Sequence, residues 1–231
     1  MARTEYGQQL QQVQDELMEI GAMVERAVQR SIEALRNRDL ELSQQIIDED
    51  DVIDDRQVTL EERCIDVIAT QQPMASDLRS LVTALIVAQE LERMGDYAEG
   101  IAKISLSMGD QPPLKPLIDI PRMADIGIGM LRKSLDALVN RDVDAAEQVR
   151  RDDDQVDALY DQIHRELLTF MLEDPRNIQR ATYLQWVAHN LERIADRATN
   201  IAERVVFVST GVLPVAEEWR DDARGGDRRR L

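Results

Sequence analysis

Leu91-Glu-Arg-Met-Gly-Asp96 returns one hundred residues later as Leu191-Glu-Arg-Ile-Ala-Asp196, and Ile101-Ala102 returns with it as Ile201-Ala202. Upstream, Ser31-Ile-Glu-Ala-Leu-Arg-Asn-Arg-Asp39 returns as Ser134-Leu-Asp-Ala-Leu-Val-Asn-Arg-Asp142, an offset of 103. The same offset carries Asp50, Asp51, Ile53 and Asp54 onto Asp153, Asp154, Val156 and Asp157. A loop three residues shorter in the second copy accounts for the difference. Self-similarity over this distance marks one structural unit used twice, and it decides the architecture.

Each copy reads as three helices. Leu10, Val13, Leu17, Ile20, Val24, Ala27 and Ile32 recur at helical spacing and predict a first helix from about Tyr6 to Arg36. Asp39 is the N-cap expected for a second helix, whose stripe of Leu42, Ile46, Ile53, Leu60, Cys64 and Val67 ends before Pro73. Ala75 or Ser76 opens a third, through Leu78, Leu81, Leu85, Ala88 and Leu91 to about Met108. Gly109-Asp-Gln-Pro-Pro-Leu-Lys-Pro116 is the linker. The second copy starts near Pro121, breaks at Asn140-Arg141-Asp142 and at Glu173-Asp174-Pro175, and ends near Thr210-Gly211. The expected fold is all-α, two tandem three-helix bundles of six long helices. The expected division is a first repeat over residues 1–111, a second over 112–212 and a polar, flexible tail or contact arm over 213–231.

Composition agrees. Of 231 residues, 3% are aromatic, with 10 Gly and 7 Pro, too few for a sheet protein rich in turns. A hydrophobic share of 43% excludes global disorder, and 32% charge excludes a membrane-embedded chain. Lys and Arg number 28 against 45 Asp and Glu, a net charge of −17 that argues against nucleic acid and anionic membrane as partners. No apolar run is long enough to span a bilayer and the N-terminus lacks a signal-peptide core. Cys64 is the one cysteine, which excludes an internal disulfide or a thiolate cluster and fits the cytoplasm.

The acids are placed unusually. Val149, Val156, Tyr160, Ile163, Leu167 and Phe170 form a 4-3 seam, and the seam position between the first two is Asp153. Glu92 interrupts the third helix's stripe in the same way before Gly95 and Ala102 resume it. Another acid lies at i+4 from each, giving Asp50/Asp54 and Glu92/Asp96 in the first copy and Asp153/Asp157 and Glu192/Asp196 in the second. Like charges at this spacing stand about 5 to 6 Å apart at Cβ and repel, and desolvation adds to the cost. Three things would relieve it: an i, i+3 ion pair from Arg93 or Arg193, protonation with raised pKa, or a hard cation held between helices. His164 and His189 lie on the same faces, where copy one has Glu61 and Gln89, so they read first as structural residues. Glu99, Asn200 and Glu203 extend the third-helix stripes, as outer ligands or as a wet helix face. The Glu-x-x-His pairs of ferritin-like di-iron sites are absent, as are a Ser-His-Asp set, a phosphate-cradling glycine loop and a kinase signature, so the chain does not read as an enzyme.

These motifs, with Gln72-Pro-Met-Ala-Ser-Asp-Leu-Arg79 before the first and Met171-Leu-Glu-Asp-Pro175 before the second, resemble the PhoU family of phosphate-transport regulators over about residues 6 to 211. The resemblance implies two similar three-helix bundles, often dimeric, whose E(D)-x-x-x-D motifs hold iron, zinc, magnesium or manganese. Carried over, the ligands are Asp50, Asp54, Glu92, Asp96, Asp153, Asp157, Glu192 and Asp196. It further implies a cytoplasmic adaptor between the ATPase of a phosphate ABC transporter and a sensor histidine kinase, restraining phosphate uptake and the phosphate-starvation response. A metal-storage or redox bundle and a metal-free helical scaffold are the alternatives. Ala195 departs from the glycine at the equivalent position of the first motif, but both are small enough for close helix approach. Arg228-Arg-Arg230 lies outside the resemblance.

Overall fold

The computed structural model describes residues 2–214, with side-chain surroundings from residue 6 onward. Among the described residues six long helices, α1 (Ala2–Asn37), α2 (Leu40–Gln71), α3 (Ser76–Met108), α4 (Asp119–Asn140), α5 (Val143–Glu173) and α6 (Ile178–Thr210), are joined by short connections, with a 3₁₀ turn at Pro175–Asn177. The expectation of a flexible tail or contact arm falls on 213–231, of which residues 215–231 lie outside the described residues.

The breaks follow from local chemistry, and both copies use the same device. Arg38 and Arg141, 103 residues apart, take left-handed conformations with φ of 57° and 53°. The next residue caps the following helix: the Asp39 carboxylate accepts from the Leu42 N–H at 2.9 Å, and Asp142 from Ala145 at 3.0 Å. Before Pro73, α2 closes at Gln71 with Gln72 left-handed. Pro121 sits in the first turn of α4, where its missing N–H costs nothing. The first helix begins a turn earlier than periodicity indicates, since Ala2-Arg-Thr-Glu5 contains neither glycine nor proline to stop it.

The helices α1, α2 and α3 pack on one another, as do α4, α5 and α6, and the halves meet through α3 on α6 and α1 on α4. In both pairings the helices run antiparallel. The Glu90 side chain meets Asn200, the Arg180 guanidinium meets the Pro112 carbonyl oxygen at 3.4 Å, and Arg132 of α4 is ion-paired with Glu25 of α1. The repeats are therefore related by a pseudo-twofold axis perpendicular to the helices.

One continuous core fills both halves, from Val13, Leu17 and Ile20 to Ala198, Ile201 and Val205. The α3 stripe is broader than one face: Leu78 is exposed, Leu85 partly so, while Ala84, Val87, Met94, Ala98 and Ile101 are buried. The reason is that α3 packs against α1, α2 and α6 at once. Burial pushes the Cys64 thiol up to about 11, so it stays protonated and behaves as a small apolar residue.

Candidate metal centre

The acidic pairs of the first half are brought together. Asp50 and Asp54 descend one face of α2, Glu92 and Asp96 one face of α3, and these two helices are packed neighbours. One carboxylate oxygen from each of Asp50, Asp54 and Asp96 lies within 4.8 Å of the others. Gly95 permits this: a Cβ there would stand 3.1 Å from Asp50 Oδ1 and 3.2 Å from Ile53 Cδ1, so glycine admits the α2 carboxylate against the α3 backbone.

Crowding shows in the acidities. Asp50 is pushed up to about 7, by burial first and then by Glu99, Asp54 and Asp96. Asp54 is raised by burial and by Asp51 and Glu99, Glu92 by burial and by Asp96 and Asp54, and Asp96 by burial and by Asp54 and Glu99. Asp54 Oδ1 is buried and has no hydrogen-bond partner among the described residues. A buried carboxylate oxygen left in this state is costly, and a cation among the acids would satisfy it.

The donor set is all oxygen, which suits a hard cation such as magnesium, manganese or ferric iron. Arg93, the guanidinium that an i, i+3 pair would have placed on Asp96, turns the other way and meets Glu90 at 3.6 Å. Of the three ways to relieve the cluster, the local ion pair is therefore not used in the first half. Glu99 joins the cluster electrostatically while pairing with Lys103, a role its stripe position on α3 already marks.

The second half is built alike but neutralised differently. Asp153 is partly buried between Val149 and Val156 and is pushed up to about 7 by burial, then by Asp157 and Asp196. Glu192 is raised by burial and Asp196, with Arg193 and His189 opposing. Here the i, i+3 pair does form: Arg193 Nη1 lies 2.9 Å from Asp196 Oδ2, and its Nε 3.7 Å from Glu192. His189 Nδ1 stands 3.3 Å from Glu192 Oε2 beside the Tyr160 ring, whereas His164 pairs with Gln185 at 3.0 Å on the α5–α6 surface. Ala195 replaces glycine and is fully buried, so the helices close around a methyl group.

Sequence reasoning missed the seam between the two centres. Glu90, 7% exposed, accepts from Asn200 Nδ2 at 3.0 Å and from Arg197 Nη1 at 3.2 Å, so Asn200 serves the contact between repeats. Across the axis the equivalent pair is Asn190 and Gly100, where a Cβ on the glycine would lie 2.9 Å from Asn190 Nδ2. The signal was present as a break in the repeat: Glu90 against Asn190, and Gly100 against Asn200.

Comparison with known proteins agrees with this geometry. The PhoU domain family model matches twice, over residues 17–105 and 120–205. A phosphate-specific transport system accessory protein PhoU homolog of Rhizobium meliloti is 38% identical over 218 residues, 94% of this chain and 92% of that protein. The homolog of Aquifex aeolicus is 41% identical over 205 residues, 89% of this chain and 93% of that protein. Among solved structures, PhoU from Pseudomonas aeruginosa superimposes with a TM-score of 0.85 at 33% identity, covering 90% of this chain and all of that one. The phosphate transport system regulatory protein PhoU from Streptococcus pneumoniae gives 0.85 at 28% identity, covering 91% and 99%. These relatives are named as accessory and regulatory proteins of phosphate transport. With two copies of its domain in antiparallel three-helix bundles and acid pairs at equivalent positions, the chain belongs to the PhoU family.

Proposed function

We propose that this protein is a cytoplasmic, homodimeric adaptor that restrains phosphate uptake and phosphate-starvation signalling by linking the ATPase of a phosphate ABC transporter to a sensor histidine kinase. Support comes from the names of its relatives, accessory and regulatory proteins of phosphate transport, at up to 41% identity over most of the chain. No helix among the described residues is long and apolar enough to cross a membrane, which agrees with an adaptor that meets a transporter from outside the bilayer. Deleting the gene is expected to derepress alkaline phosphatase and phosphate uptake in phosphate-rich medium. Normal repression in the deletion strain would refute the regulatory reading.

In this reading the paired carboxylates bind metal: Asp50, Asp54, Glu92 and Asp96 in one half, Asp153, Asp157, Glu192 and Asp196 in the other. The single observation behind it is the convergence of Asp50, Asp54 and Asp96 with an unpartnered buried oxygen on Asp54. A bound cation would supply charge neutralisation and would fasten α2 to α3, while Gly95 leaves the space that the carboxylate needs. Elemental analysis of the purified protein should find iron, manganese, zinc or magnesium, and changing Glu92, Asp96, Glu192 and Asp196 together to Ala should remove it. Metal content unchanged by that substitution would overturn the assignment.

A further inference from the structure

The pseudo-twofold axis relates two cavities of unequal size. One lies at the end of the molecule where α1 begins, between α1, α3, α4 and α6, with a volume of about 240 Å³ and an apolar wall that includes Leu10, Leu17, Leu138 and Val208. Its counterpart at the other end is lined by Leu35 where the first has Leu138, by Arg38 where it has Arg141, and by Met108 where it has Val208. That second cavity holds only about 10 Å³, because Gly109, Gln111, Pro113 and Leu117 of the interdomain linker also line it. Its arginine holds an oxygen of the segment that fills it: Arg38 Nη1 donates to the Asp110 carbonyl oxygen at 3.2 Å.

At the first cavity the corresponding guanidinium, that of Arg141, lies on the wall and donates to the Ser80 hydroxyl at 3.1 Å. Thr83, also on the wall, stands three residues on from Ser80, on the same face of α3 and about 4.5 Å deeper. It is 1% exposed, and its hydroxyl has no hydrogen-bond partner among the described residues. A buried hydroxyl left in this state is costly, and an acceptor in the cavity would satisfy it. An anionic oxygen beneath the Arg141 guanidinium would take hydrogen bonds from both residues, and a charge-assisted bond is the stronger kind. Asp77 is the other charged residue on the wall among the described residues, so the wall is neutral overall and suits one negative charge near Arg141 better than the double charge of a phosphate ester. Below the charged rim the space is long and apolar: Gly7 and Leu17, ten residues apart on α1, both line it and set its length at about 15 Å. An apolar cavity of about 150 Å³ takes up benzene, and the larger volume here has room for an alkyl chain of roughly eight to ten carbons.

We propose that this cavity binds a medium-chain aliphatic monocarboxylate, its head held by Arg141 and Thr83 and its chain laid between α1, α3, α4 and α6. Such a ligand touches helices of both repeats and so fastens the two halves at this end, as the linker does at the opposite end. Octanoate titrated into the full-length protein should shift the methyl resonances of Leu10, Leu17 and Leu138 and saturate, and octanol, with the same chain and no charge, should bind several-fold more weakly. Arg141→Gln and Thr83→Val should each weaken octanoate several-fold. Asp77→Asn should tighten it by removing a neighbouring negative charge, and should leave octanol unchanged. Gly7 has open space around its Cβ position, so Gly7→Leu adds a side chain without a clash and should block the ligand while circular dichroism stays helical. Absence of a saturable shift at these methyls, octanol bound as tightly as octanoate, or octanoate affinity unmoved by any one of the four substitutions overturns the proposal.

Discussion

Gly95 sets the distance at which an α2 carboxylate can approach α3. Its mutation to Ala would press a methyl group onto Asp50 Oδ1, 3.1 Å from the Cβ position, and onto Ile53. Overpacking at such a point costs about 1 to 3 kcal/mol, and displacing Asp50 should weaken Mn²⁺ binding by the first half in calorimetric titration. The reverse change, Ala195→Gly, should cost about 0.5 to 1 kcal/mol through helix entropy and leave the second half's metal binding in place. Asp50 and Asp153 make a separate prediction about pH. Both titrate near 7 in the fold, against about 3.9 in an unfolded chain, so the native state binds protons more tightly between those values. Stability of the metal-free protein should therefore be greatest at the acid end of that window and fall as pH rises through about 7. Thermal scans in EDTA should give a higher Tm at pH 5.5 than at pH 8, Asp50→Asn with Asp153→Asn should flatten the slope, and added Mn²⁺ should raise Tm more at pH 8.

At the scale of the helix, the two Arg-Asp junctions are the points where local sequence dictates structure most directly. Asp39→Ala and Asp142→Ala each remove a cap and should cost about 1 kcal/mol, observed as a lower urea midpoint with unchanged slope. Lying in different halves and sharing no partner, they should add within a few tenths of a kcal/mol. These junctions, the Pro73 break and the long apolar stripes were legible because they depend on neighbours within one turn. What escaped the sequence was the choice made by side chains that had two partners at equal spacing. Arg93 has Glu90 at i−3 and Asp96 at i+3, and it goes to Glu90, the carboxylate that also holds Arg197 and Asn200 from α6. Arg193 has Asn190 at i−3 instead, so Asp196 is its only acid at that spacing, and the pair forms. The exposed Leu78 is a miss of a related kind: periodicity gives a stripe its direction, but the number of packed neighbours gives its width.

Across the whole molecule, the halves are keyed to one another by Glu90. Glu90→Ala would strand Arg197, whose side chain is 18% exposed, and should cost about 3 kcal/mol at the seam. Replacing both residues, Glu90→Leu with Arg197→Leu, should recover most of that loss, since a desolvated ion pair exchanged for packed apolar groups is often near neutral. Chemical denaturation of the single and double variants measures the difference; a double variant as unstable as Glu90→Ala would place the cost elsewhere. The antiparallel arrangement itself, which sets α3 against α6 and the two carboxylate clusters at equivalent heights, was not derivable from the repeat, because a duplication fixes what each half looks like and not how the halves dock.

The Glu90 contact also separates the two copies. Two identical first-half units meeting about a true twofold axis would set Glu90 against Gly100 on both sides, leaving two buried carboxylates with Arg93 but without the partners that Arg197 and Asn200 supply. Two second-half units would crowd Asn190 against Asn200 twice. Only the mixed pair gives one side a hydrogen-bonded acid and the other a glycine that makes room for an amide. Within one chain neither half has to complement itself, and the α3–α6 seam is where two copies of one unit differ so that each answers the other.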